Sequence, residues 1–147
     1  MSTNGTKKRC RLCELPTSAS VPVDVCGVVM TTVYADEELV GLVGPETTGA
    51  LVVPRSHVGG LGDMPGLAGV FLGALRRAVL AVQAVYGTSG AMIEPIGSMA
   101  GAAGHVAYRV VPTVSADGER SSLPTRSAKS TVSEYLAEVL GSRLAPR

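Results

Sequence analysis

Apolar positions along the chain fall first into short runs and later into one long helical period. Val21 to Val33 is rich in valine and threonine and alternates loosely, which predicts a strand. Leu39 to Val43 predicts a second, and Ala50 to Val53 a third that Pro54 ends. Beyond a loop at Arg55 to Gly62, residues Leu67, Val70, Phe71, Ala74, Leu75, Ala78, Val82 and Val85 recur at helical spacing. Asp63 suits the N-cap of that helix, Pro65 its first turn and Gly87 its stop. Ala91 to Ile96 and His105 to Thr113 predict two more strands, separated by a loop of small residues. Ser130 to Leu140 predicts a short amphipathic helix, with Val132, Tyr135, Leu136, Val139 and Leu140 on one side. The pattern describes an α+β domain: an antiparallel sheet of about five strands, the Asp63 to Gly87 helix packed on it, and a C-terminal helix. Residues 1–8 read as a flexible N-terminus, 9–113 as the domain, 114–129 as a polar loop and 130–147 as the C-terminal helix and tail.

Composition narrows the class. At 147 residues, with 46% hydrophobic and 17% charged residues, the chain has enough apolar material for a core and is not a disordered polymer. The apolar stretch Leu67 to Tyr86 is interrupted by Arg76, Arg77 and Gln83, so it reads as a helix with one buried face and no membrane partner is expected. Lys7, Lys8, Arg9 and Arg11 are followed by Glu14 and Asp24 and not by an apolar run, so a cytoplasmic location is expected. A net charge of +1, four tyrosines, one phenylalanine and no tryptophan leave little to hold or stack a nucleic acid. The same features argue against a zinc-finger-like adaptor, which would need a basic face or exposed aromatics.

Three cysteines and two histidines carry most of the chemical information. Cys10-x-x-Cys13 places two sulfurs on one tight turn. That spacing alone is compatible with two surface thiols, a redox pair or half of a metal site; the strand–helix context usual for a redox pair is absent. Two thiolates with two imidazoles would form a neutral, tetrahedral set around one zinc ion, and the only imidazoles are His57 and His105. Cys26, inside an apolar strand, reads as a buried inert thiol.

The order of these pieces resembles the histidine triad (HIT) superfamily of nucleotide hydrolases and transferases. Cys10-x-x-Cys13 comes first. Gly49-Ala-Leu-Val-Val-Pro-Arg-Ser-His57-Val follows, and after the long helix and a Gly/Ala-rich loop comes His105-Val-Ala-Tyr-Arg-Val-Val-Pro112. The resemblance covers about residues 9 to 113. It implies a HIT-like fold, a homodimer, and one zinc ion held by Cys10, Cys13, His57 and His105. It also implies a lost activity. The family's nucleophile is the middle histidine of the triad, and that position is Ala107, which cannot attack phosphorus. The third histidine position is Arg109. The Gly-His before the third strand is Gly49-Ala50, the ribose-binding acid falls at Leu42, and an asparagine of the penultimate strand is replaced by Glu94.

Alternation on the last strand puts His105, Ala107, Arg109 and Val111 on one face, and Val106, Tyr108 and Val110 on the other. Arg109 then faces the old cleft, where a guanidinium suits an anion, with Glu94 as its partner or as an acid or base. The leading expectation is a repurposed, non-hydrolytic enzyme of small-molecule biosynthesis (cyclisation, elimination or rearrangement), with Arg109 binding an anionic substrate and Arg109 and Glu94 catalytic. The alternative is a non-catalytic binding or scaffold protein. A third possibility, residual hydrolysis, would need Cys26 as a substitute nucleophile. Tyr108 reads as core packing or an interface contact.

Overall fold

The computed structural model describes residues 10–25, 28–44, 49–64, 68–96, 104–113 and 129–144. Six strands form one antiparallel sheet: β1 (Pro22–Val25), β2 (Val28–Ala35), β3 (Leu39–Val43), β4 (Ala50–Pro54), β5 (Ala91–Ile96) and β6 (Ala107–Pro112). Their order across the sheet is β1-β2-β3-β4-β6-β5. Helices α1 (Ala68–Tyr86) and α2 (Lys129–Leu144) pack against each other and against the sheet. The architecture is the expected α+β one.

The sixth strand comes from the segment Val21 to Val33, expected as one strand. It forms a hairpin instead, with Val25 opposite Val28. Cys26, expected as a buried thiol, lies outside the described residues. β3 and β4 are buried at every position because apolar layers cover both of their faces. Leu39, Val43, Ala50 and Val52 face the helices, while Val40, Leu42, Leu51 and Val53 face a second core closed by Leu12, Leu15, Val25 and Met30. Two-sided burial explains why these runs are continuously apolar and do not alternate.

The start of α1 also differs from expectation. Asp63 ends a short 3₁₀ turn, Leu61–Asp63, and the helix runs from Ala68; Pro65 and Leu67 lie outside the described residues. Val70, expected on the apolar face, is exposed. Phe71, Ala74, Leu75, Ala78, Ala81, Val82, Val85 and Tyr86 form the buried face. By length and composition alone Gly69–Tyr86 could cross a membrane, but in this fold that face packs on the sheet. Gly87 ends α1 with φ +66, and the N–H groups of Gly87 and Thr88 both donate to the Gln83 carbonyl. α2 extends beyond the expected end, and Leu136, Leu140 and Leu144 bury its inner side.

Candidate metal centre

The first pair of donors sits on a 3₁₀ turn, Arg11–Glu14, closed by the Cys13 N–H donating to the Cys10 carbonyl at 3.1 Å. Leu12 and Leu15 anchor that turn in the second core, so Cys10 is left half-buried and Cys13 exposed at the rim. The second pair comes from two segments tied together by the Val106 N–H, which donates to the Val58 carbonyl at 2.8 Å. That tie sets the His57 and His105 rings edge to face, with centroids 5.1 Å apart. His105 lies just before β6, two residues ahead of the strand.

The four donor atoms converge. One ligand atom from each of Cys10, Cys13, His57 and His105 lies within 4.8 Å of all the others. His105 Nδ1 is 3.4 Å from Cys10 Sγ and 3.3 Å from Cys13 Sγ, and His57 Nδ1 is 3.3 Å from Cys13 Sγ. Tetrahedral zinc with nitrogen and sulfur donors at their usual bond lengths would separate such atoms by about 3.5 Å.

Tautomer and charge fit as well. The His105 Nε2–H donates to the Pro54 carbonyl at 2.7 Å, which leaves Nδ1 as a lone pair aimed at the sulfurs. Burial disfavours the imidazolium and holds His105 below its ordinary value, despite the Pro54 contact; nearby His57 adds to the lowering. It is therefore in the metal-binding form near neutrality. Without a cation, burial and then the adjacent Cys10 push the Cys13 thiol up to about 11. A divalent ion reverses this by stabilising thiolates. The donor set fits zinc, with two thiolates balancing its charge.

Of the remaining sequence-derived positions, Leu42, Glu94, Ala107 and Arg109 lie on the same side of the sheet as this cluster. Leu42 opposes Leu51, Leu51 opposes Arg109, and Arg109 opposes Glu94, a single row across four strands. Arg109 donates from Nε to Glu94 Oε2 at 3.0 Å, and its NH2 meets the same oxygen. Both side chains are about a third exposed, at 38% and 34%. Ala107, one row nearer the metal donors, is fully buried and packs with Leu42, Leu51 and Val53. Ala50 and Tyr108 face the helices; Tyr108 packs on Phe71, with ring centroids 5.4 Å apart.

The sequence reading missed two groups that tie the surrounding backbone together. Arg55 donates to three backbone carbonyls, and Asp36 organises the β2–β3 turn by accepting from the N–H groups of Glu38 and Leu39 and from the Tyr34 hydroxyl. The available signal was Arg55 itself, a cation between the end of an apolar strand and a candidate ligand.

Two solved structures are similar to this chain in fold. A Zn-bound histidine triad family protein from Mycobacterium smegmatis aligns over 90% of this chain and 94% of its own, with a TM-score of 0.54 and 21% identity. The chain has the histidine triad fold. A HIT-like protein involved in cell-cycle regulation, from Bartonella henselae, aligns over 78% of this chain and 86% of its own, with a TM-score of 0.53 and 17% identity. No family model matches the sequence, and no curated protein matches it significantly. At these identities the likeness extends to the HIT fold itself.

Proposed function

We propose that this chain is a zinc-binding protein of HIT fold that has given up nucleotidyl transfer and binds a small anionic molecule beside the old catalytic row. The zinc reading rests on the converging Cys2His2 donors, and the zinc-bound HIT structure from M. smegmatis supports it. Zinc would be held by Cys10, Cys13, His57 and His105 and would stiffen the rim of the sheet. A fully liganded ion has no open position for chemistry. Two thiolate ligands suit a reducing compartment such as the cytoplasm.

The observation that carries the loss of hydrolysis is the commitment of both histidines. Each points Nδ1 into the sulfur cluster, so no imidazole is left to attack phosphorus. Ala107 supplies only a methyl group at the position the resemblance assigns to the nucleophile. Arg109 retains donors beyond those spent on Glu94 and is partly exposed, which supports a carboxylate or similar anion as ligand. Arg109 would anchor it and Glu94 would act as acid or base in a non-hydrolytic, biosynthetic reaction.

The second reading, a non-catalytic binding or scaffold protein, is favoured by one feature. The sheet face around Ala107 is filled by Leu42, Leu51 and Val53 under the N-terminal turn, so the charged pair sits at the edge of an apolar floor. A homodimer belongs to the same proposal. β5 is the outer strand of the described sheet, with Met92 and Ile93 exposed on opposite faces, and its edge is suited to pairing with a second copy.

The test is direct. The protein is incubated with a nucleoside phosphoramidate and a dinucleoside polyphosphate, and no turnover is expected. Turnover would overturn the reading of Ala107. Binding of small carboxylates is then followed by NMR shifts of the β5 and β6 amides, with Arg109→Ala expected to abolish them; unchanged binding removes Arg109 from the site. Sedimentation should give twice the chain mass.

A further inference from the structure

We infer that Arg55 is a positioning residue for the metal, holding the cysteine turn and the histidine segments in register before the ion arrives. The inference rests on the zinc reading above and adds a residue outside the ligand set.

Arg55 lies between Pro54, whose carbonyl orients His105, and the ligand His57. Its guanidinium reaches across to the chain leaving the cysteine turn. NH1 donates to the Leu15 carbonyl and NH2 to the Pro16 carbonyl, both at 2.7 Å, while Nε donates to the Asp36 carbonyl at 2.9 Å. Leu15 precedes a proline and is extended (φ −61, ψ 146), so its carbonyl does not continue the turn. The planar fork satisfies that carbonyl and the next one together, which a single ammonium cannot do in the same geometry. The backbone N–H of Arg55 is also fixed, donating to the Glu38 carbonyl at 2.8 Å.

One tetrapeptide, Pro54 to His57, thus provides a ligand, sets the tautomer of a second, and grips the chain two and three residues beyond Cys13. The cysteine turn is separated from the histidines by 92 residues at Cys13–His105 and 44 at Cys13–His57. Bringing such distant donors together has an entropic cost that the ion must otherwise meet. Partners that orient ligands without touching the metal typically change affinity by about 10–100-fold.

The test measures zinc affinity of the full-length protein by competition with a chromophoric chelator, alongside the rise in melting temperature on adding zinc. Arg55→Gln should weaken zinc binding by about tenfold or more, with Arg55→Lys in between. Leu136→Ala, in the helix-side core, should lower the melting temperature of apo and zinc forms alike and leave affinity unchanged. If Arg55→Gln does not fold, Arg55→Lys against Leu136→Ala carries the same comparison. Affinity of the Arg55 variants within about twofold of the parent, against that expected range, overturns the inference. So does a Leu136→Ala loss as large as theirs. A parent chain that takes up no zinc sinks the zinc reading and this inference with it.

Discussion

His105 and Pro54 are joined by a 2.7 Å hydrogen bond that decides which imidazole nitrogen meets the cysteines. A carbonyl only accepts, so Nε2 carries the proton and Nδ1 the lone pair. His105 is fully buried, whereas His57 is exposed. The two ligands should therefore behave differently when removed. His105→Ala is expected to purify without zinc, because its neighbours cannot recruit water into a buried position. His57→Ala should retain weakened zinc, with solvent completing the shell. Elemental analysis of both variants checks this, and equal zinc contents would discount the difference in burial.

Stripping the metal with a chelator should be strongly destabilising. The ion would join residues 10 and 105 and so close a long loop. A loss of about 3 kcal/mol lowers the melting temperature of a chain this size by roughly 10 °C. Calorimetry before and after chelation, with restoration by added zinc, reads the effect.

Gly49 enters β4 with φ +72, and a Cβ built there would stand 2.4 Å from the Val110 carbonyl oxygen. Neither the backbone angle nor the space admits a side chain. Gly49→Ala should cost about 2–4 kcal/mol and separate β4 from β6. Urea denaturation is the measurement, and a change below about 1 kcal/mol, within the ordinary range for point variants, would contradict the geometry.

Asp36 supplies a pH dependence away from the metal ligands. Burial alone would raise its carboxyl. The Tyr34 hydroxyl, the N–H groups of Glu38 and Leu39, and the Arg55 charge more than offset this and hold it below the usual carboxylate range. The partner is affected in the opposite sense, with burial and then the Asp36 contact pushing Tyr34 up to about 12. A depressed folded-state value means that the stabilisation is complete above the unfolded pKa, about 3.9. It is lost as the pH falls through the lower folded value. Asp36→Asn should flatten the fall in melting temperature below about pH 4 while lowering stability at neutrality.

The Arg109–Glu94 pair is a cross-strand contact with both side chains about a third exposed. Solvent screening should hold its coupling to about 0.5 kcal/mol. A double-mutant cycle with Arg109→Ala and Glu94→Ala tests this value. A small coupling means that either charge can be removed for functional assays while the fold is kept.

The sequence alone determined the long helix and the apolar strands, and its resemblance to the HIT family named Cys10, Cys13, His57 and His105 as candidate metal donors. Periodicity makes the helix legible, since Phe71, Ala74, Leu75 and Ala78 share one helical face, while the donors are legible through the order in which Cys-x-x-Cys, His57 and His105 follow the family pattern. Other features depended on what packs against each segment. Val21 to Val33 carries no turn strong enough to announce a hairpin, and Val70 fits the helical period yet is exposed. The role of Arg55 could not be read locally, since its acceptors Leu15 and Pro16 lie 40 and 39 residues away. Local spacing is set by covalent geometry and is written in the chain. Which nitrogen of His105 faces a sulfur 95 residues distant is settled only when the sheet brings Pro54 and Cys10 to the same rim.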